Sequence, residues 1–249
     1  MLRQQASDVR FEWGPSGAQA VATPRGCTVV VDVLSFTTAV SVAVGRGISV
    51  LPYDLAQPGA EQFARDNDAQ LGVRRREASP SRPWSLSPSA LRSAPFTPRL
   101  VLPSPNGAAI SASVEGTVVA GCLRNARAVA AWALENGYGT STAPISVVAA
   151  GERWPDGTLR PAVEDAIGAG SVLDHLARAG CQLSPEAQAI AGLFRSSGDI
   201  VGIVRACGTA LELDAMGFPQ DVEVALEIEA EEIVPVLQNS VFGPTPRAS

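Results

Sequence analysis

The chain has 249 residues, 46% of them hydrophobic, and a formal net charge of −6, so it is long enough for one large domain or two small ones around a substantial core. The acidic balance argues against a nucleic-acid partner, which needs a basic face, and no uninterrupted apolar run approaches the ~20 residues of a membrane span. All 19 basic residues are arginines, which excludes a Schiff-base lysine and a phosphate-binding GxxxxGK[ST] loop.

In chain order, the opening MLRQQASDVRFEWG lacks the apolar centre of a secretion signal, so a cytoplasmic protein with no membrane partner is expected. Residues 1–27 are set apart as an N-terminal segment before an α/β domain over 28–242. Residues 28–34 read as a buried strand, with Val29, Val30 and Val31 in a row, and 37–44 as the helix after it. Asp32 is the anomaly of that strand, because a buried carboxylate is costly unless something pairs with it. It either caps the turn from Ser35 to Thr38 through backbone N–H groups or serves a metal. A strand at 49–53 and a helix at 58–67 follow. The run Arg74, Arg75, Arg76 reads as a solvated loop that could hold an anion. Residues 77–98 carry five prolines, too many for a routine connection. They form either a functional flap or a disordered insertion, and Trp84 and Phe96 favour packing.

Beyond it the alternation resumes. Strands are predicted at 99–102, 117–120, 145–149, 200–204 and 222–228, and helices at 108–113, 126–136, 162–179, 185–194 and 209–216. Residues 243–249 read as a frayed tail. Short apolar strands between amphipathic helices predict a three-layer α/β/α fold with a largely parallel sheet, open to division into two α/β subdomains. GAGSVL, at 168–173, lies inside a helix rather than after a strand. It is therefore read as close helix packing, not as a dinucleotide fingerprint. The sole histidine, His175, sits in the same helix and reads as a satisfied helix residue. Cys27, Cys122, Cys181 and Cys207 form no CxxC pair, and read as four reduced thiols.

In open α/β sheets the ligand crevice lies beyond the carboxyl ends of the strands. The segments found there are Ser35, Thr37 and Thr38; SPNG at 104–107; GCLRN at 121–125; and AGERWPDG at 150–157. Each precedes a helix, whose free N–H groups and dipole favour anions. Ser35, Asn106 and Asn125 are also good N-caps, which alone would account for them. Glu164 and Asp165 open the long helix just after Pro161, where dipole complementarity is the simpler reading. Neighbouring helix residues point about 100° apart, so one of the two is expected to face a given site. Asp32 with Glu164 or Asp165 would suit Mg²⁺, which takes one or two protein carboxylates and then water and substrate oxygens.

With these pieces assembled, the chain resembles the 2-phosphosulpholactate phosphatase family over nearly its whole length. DVLSFTT resembles the family's DVLRATT-type turn, and PNG at 105–107 falls where the family has TNG. CLRNARAVA resembles a segment of the form FLNAxAVA. AGERWPDGTLRPAVEDAIGAG resembles AG, a spacer, then EDxxxAG, and the C-terminal GF, DV and VPVL fall in register. The resemblance implies Mg²⁺-dependent hydrolysis of a phosphate monoester to sulpholactate and phosphate, a step of coenzyme M biosynthesis. It carries over to Asp32, Thr37, Thr38, Asn106, Gly107, Asn125, Gly151, Glu164 and Asp165. Ser35 stands where the family has arginine, Ala109 near a second family arginine, and LSP at 86–88 replaces NSP. Arg124, Arg153 or Arg76 is the candidate replacement for a lost anion grip.

The expectation is a Mg²⁺-dependent phosphatase acting on a small anionic phosphate ester, a homodimer by assumption. Asp32 with Glu164 or Asp165 holds the metal. Ser35, Thr37, Thr38, Asn106, Gly107, Arg124, Asn125 and Gly151 surround the substrate, and Arg153 offsets transition-state charge. The nucleophile is water or Asp32 itself. Two rivals stand beside this reading: a non-catalytic anion binder on the same fold, and a phosphatase for a carboxylated, non-sulfonated ester.

Overall fold

A computed structural model describes residues 4–244. The elements in order are β1 (Val9–Trp13), α1 (Gly14–Val21), β2 (Cys27–Val31), α2 (Phe36–Gly45), β3 (Ser49–Asp54), α3 (Ala60–Asp66), β4 (Gln70–Leu71), α4 (Pro88–Ser93), β5 (Arg99–Ser104), α5 (Gly107–Ser113), β6 (Thr117–Gly121) and α6 (Ala126–Glu135). Then come β7 (Ile145–Ala149), β8 (Glu152–Arg153), β9 (Leu159–Arg160), α7 (Val163–Arg178), α8 (Pro185–Ser196), α9 (Ile200–Arg205), α10 (Gly208–Ala215), α11 (Pro219–Ala225), β10 (Pro235–Gln238) and β11 (Val241–Pro244).

The main sheet has nine strands in the order β1-β7-β2-β6-β10-β11-β3-β5-β4. One parallel block comprises β1, β7, β2 and β6. A second comprises β3, β5 and β4. The antiparallel hairpin β10–β11 joins them, pairing with β6 on one side and β3 on the other. Successive side chains of a strand face opposite ways, and β2 divides accordingly. Val29 and Val31 join an apolar cluster with α6, α7 and α8, whereas Val30 joins one with α1, α2 and α5. Helices therefore cover both faces, which is the three-layer α/β fold.

Two predicted strands are helices. Residues 200–204 lie in α9, whose N-cap Asp199 accepts from the Gly202 N–H. Residues 222–228 overlap α11, which starts at Pro219 and ends at Ala225. Both are short β-branched runs, whose local preference yields to packing. Residues 1–27, read as a separate segment, supply β1 and α1, and β1 pairs in parallel with β7 at the sheet edge. Gly243 and Pro244, read as tail, close β11; residues 245–249 lie outside the described residues.

Gly168 shows why the small residues of α7 are needed. A Cβ there would lie 2.6 Å from Val33 Cγ2 and 2.9 Å from Val31 Cγ1, and one at Gly170 would lie 2.7 Å from the Ile190 carbonyl oxygen. The helix thus seats directly against β2 and α8, which brings its first turn to the carboxyl end of β2. Among the described residues no helix is long and apolar enough to cross a membrane. His175 Nε2 lies 2.9 Å from Glu229 Oε1, and all four cysteines are free thiols.

Candidate active site

Four loops meet at the carboxyl ends of β2, β5, β6 and β7, and two buried aspartates bind three of them together. Asp32 Oδ1 accepts from the Phe36 N–H at 3.1 Å, and Oδ2 from the Gly107 N–H at 2.8 Å. It thereby holds the starts of α2 and α5. Asp165 Oδ1 accepts from the Val33 N–H at 2.7 Å and Oδ2 from the Gly151 N–H at 2.8 Å, tying the loops after β2 and β7 to α7. The two glycines are required by these approaches. A Cβ on Gly107 would sit 2.8 Å from Asp32 Oδ2, and Gly151 has φ +66 with the Arg160 carbonyl oxygen 3.0 Å from such a Cβ. Asp32 is therefore a cap of α2, as one sequence reading held, and of α5 as well.

Glu164, one position before Asp165, is also buried. Their side chains diverge as helix geometry demands. Asp165 turns to the sheet loops. Glu164 acts on the Cys207 thiol at the start of α10, and its charge also acts on Asp32, Glu152 and Asp165. Burial first, then the Glu164 charge, pushes that thiol up to about 12, so it is a protonated thiol at neutral pH and no nucleophile.

A fourth acid was missed in the sequence. Glu152, the first residue of β8, accepts from Asn106 Nδ2 at 3.0 Å. Burial, then the Asp32 charge, lifts its pKa to about 7. Burial likewise raises Asp32 and lifts Asp165 well above the usual carboxylate range, with neighbouring negative charges adding to it. Yet Asp32 and Asp165 each accept two N–H groups, the arrangement of an ionised carboxylate. Geometry asks for charge and the surroundings oppose it, so the cluster is short of positive charge.

The remaining predicted residues divide. Thr37 Oγ1 donates to the Asp32 carbonyl and Thr38 Oγ1 to that of Val33. Both hydroxyls are fully buried and shape the loop itself. Asn125 is spent the same way, its Oδ1 accepting from the Cys122 N–H and its Nδ2 donating to the Ala120 carbonyl. Neither Ser35, Asn106 nor Asn125 makes a side-chain cap bond to its helix. Arg124 is buried and paired with Glu227, beside α11. Arg153 is exposed and reaches the carbonyls of Gly157 and Pro105.

The guanidinium that reaches Ser35 belongs to Arg75. Its Nη2 donates to Ser35 Oγ at 2.6 Å, and its Nε pairs with Asp221 Oδ2 at 2.8 Å. Asp221, fully buried, also accepts from Ser87 Oγ, Ser89 Oγ and the Ser89 N–H. Ser87 and Ser89 lie in the Pro/Ser-rich stretch 77–98. That stretch is ordered: Ser87 caps α4, and Trp84 packs against the second core and donates to the Pro95 carbonyl. Phe96, expected to pack, is 61% exposed. The arginine run at 74–76 was the one signal for Arg75. For Glu152 the signal was a carboxylate just after the loop glycine Gly151.

Glu152 gives the metal-free protein a distinctive pH dependence. Its folded pKa is raised, so between about 4.5 and 7 the folded state binds more protons than the unfolded one. Stability then falls as pH rises through that window. The shift corresponds to about 3 kcal/mol once the group is ionised. Glu152→Gln should remove that part of the slope, so unfolding midpoints measured from pH 5 to 8 in chelator should converge on the wild type at low pH and exceed it above pH 7. Parallel profiles for the two proteins would mean that Glu152 is not perturbed.

Two buried aspartates that tie together the loops at the carboxyl edge of a mostly parallel sheet mark the molecule as a three-layer α/β protein with its acidic residues gathered at one edge. The family model described as 2-phosphosulpholactate phosphatase matches residues 15–240. The chain belongs to that family, and with it to the phosphoric monoester hydrolases. No curated protein matches it.

Proposed function

We propose that the protein hydrolyses 2-phosphosulpholactate, or a close small acidic phosphate monoester, to the 2-hydroxy acid and phosphate, with Mg²⁺ at the carboxylate cluster. The observation that carries this reading is the charge deficit: Asp32 and Asp165 hold the geometry of ionised carboxylates in a place that disfavours them. A hard divalent cation is the natural complement to oxygen donors of this kind. Among the described residues, no three His, Cys, Asp or Glu side chains are gathered to hold a metal unaided. Mg²⁺ ordinarily keeps several waters and binds through one or two carboxylates.

Asp32, with Glu164 or Asp165, would hold the ion, which when bound supplies positive charge for the transferring phosphoryl group. The chain's own residues account for the rest. Glu152, steadied by Asn106 and poised near neutrality, is the group placed to hold or deliver a proton. Arg75 presents a guanidinium at Ser35, where the family carries arginine in sequence. A guanidinium from another loop thus stands beside that position, already paired with Asp221, which supports the catalytic reading over a binder built on that lost arginine.

The test is phosphate release from a panel of sulfonated and carboxylated esters, including 2-phosphosulpholactate, with Mg²⁺ and with chelator. Mg²⁺-dependent release peaking on the sulfonated ester is the expected result. A peak on a carboxylated ester would change the substrate and keep the chemistry. Release that persists in chelator would remove the metal, and no release from any ester would leave a binder.

A further inference from the structure

Beside the carboxylates lies a cavity of about 550 Å³, within the range that buries ligands larger than a simple three-carbon acid. Its lining is unusual for a protein of net charge −6. Arg74, Arg75, Arg76 and Arg82 line it against a single carboxylate, Glu77. Arg75 is held by Asp221 and Ser35, whereas no ion pair engages Arg74, Arg76 or Arg82 among the described residues. The rest of the wall is apolar, with Leu55, Leu71, Leu86, Met216 and Phe218. Leu55 and Met216 are each 41% exposed, so the apolar wall is open to solvent at its rim.

Two residues link the cavity to the proposed site. Arg75 lines it and also reaches Ser35. Pro105 lines it and directly precedes Asn106, which holds Glu152.

We propose that this cavity is a recognition pocket for a second acidic group of the phosphate ester, carried on an apolar arm. The phosphoryl end lies at Asp32 and Asn106, the arm runs along Leu71, Leu86 and Phe218, and the far acid meets the guanidinium forks of Arg74, Arg76 and Arg82. Arginine forks grip carboxylate and sulfonate oxygens bidentately. Apolar walls favour an arm over a bare inorganic ion. The proposal deepens the phosphatase reading and rests on it for which end of the ligand is the phosphoryl end.

The experiment uses non-hydrolysable phosphonates in matched sets: one short alkyl chain ending in carboxylate, sulfonate or methyl. Affinities are measured by calorimetry with Mg²⁺ for the wild type and for the Arg76→Gln, Arg82→Gln double variant, whose exposed positions spare the core. The acid-ended compounds should bind the wild type about tenfold more tightly than the methyl-ended one, ~1.4 kcal/mol. In the double variant that ratio should fall towards one. Equal affinities in the wild type, or a preference that survives in the variant, would overturn the pocket. The carboxylate and sulfonate arms identify which acid it takes. Phosphate release from the corresponding esters is read in parallel. An arginine-dependent preference without any turnover would retain the pocket and reject the hydrolytic reading.

Discussion

Asp32→Asn should lower the rate of Mg²⁺-dependent phosphate release about 10²–10³-fold, the usual loss when one charge-organising group leaves an active site. The aspartate is asked to do three things. Its oxygens hold the first amides of α2 and α5, its backbone N–H donates to Thr37 Oγ1, and its charge acts on Glu152 and Asp165. An asparagine side chain has nearly the same shape and can still accept one N–H, so the loop framework survives in large part. What it cannot supply is the charge, and its amide N–H₂ must face either Phe36 N–H or Gly107 N–H. Turnover, Mg²⁺ affinity and unfolding midpoint should be measured on the same preparation. A folded variant with wild-type turnover would remove Asp32 from the chemistry. Reduced turnover with unchanged Mg²⁺ affinity would keep it in the site and take away its role as a ligand.

Asp165→Asn should be the most destabilising isosteric change in the site, by about 3 kcal/mol. Two charge-assisted bonds converge on this carboxylate, from Val33 and Gly151, and both are fully buried. An amide satisfies one of these donors and confronts the other with a donor of its own. A buried donor without an acceptor costs about 1–3 kcal/mol, and the loss of charge assistance adds to it. In a chain of this length that lowers the thermal midpoint by roughly 6–12 °C. Relief of repulsion from Asp32 and Glu164 opposes the loss, and Mg²⁺ separates the two contributions. Mg²⁺ should stabilise the wild type by mass action, so the gap between the proteins should widen when it is added. A midpoint within 2 °C of the wild type in chelator would show that relief of repulsion offsets the lost hydrogen bonds.

The two cases bear on what a buried carboxylate means. Asp32 and Asp165 are hydrogen-bonded as completely as structural residues, and each binds two elements of the chain together. Their charges nevertheless act on each other, and among the described residues no ion pair engages either of them. Arg75 lies within electrostatic reach of Asp32 but is itself paired with Asp221.

Periodicity and punctuation alone determined the central architecture. The runs after Cys27, Ser49, Arg99, Thr117 and Ile145 are strands, and the amphipathic stretches between them are helices, because short apolar runs bounded by glycines have few other ways to bury their surface. The carboxyl-end rule led to the loops that hold Asn106, Gly107 and Gly151, and the odd carboxylate of an apolar strand and the acidic start of the long helix led to Asp32, Glu164 and Asp165; the fold brings them to one edge. Tertiary structure decided the rest. α9 and α11 are helices despite β-branched composition, β1 pairs with β7 far along the chain, and the local hairpin β10–β11 is placed in the sheet by its distant partners β6 and β3. The same holds for the site. Glu152 gains its role only when β8 sets it beside Asn106, and Arg75 reaches Ser35 from forty residues away. Local sequence encodes the preference of a backbone segment. Which side chains meet, and therefore which charges are felt, depends on long-range packing that no short window of residues contains.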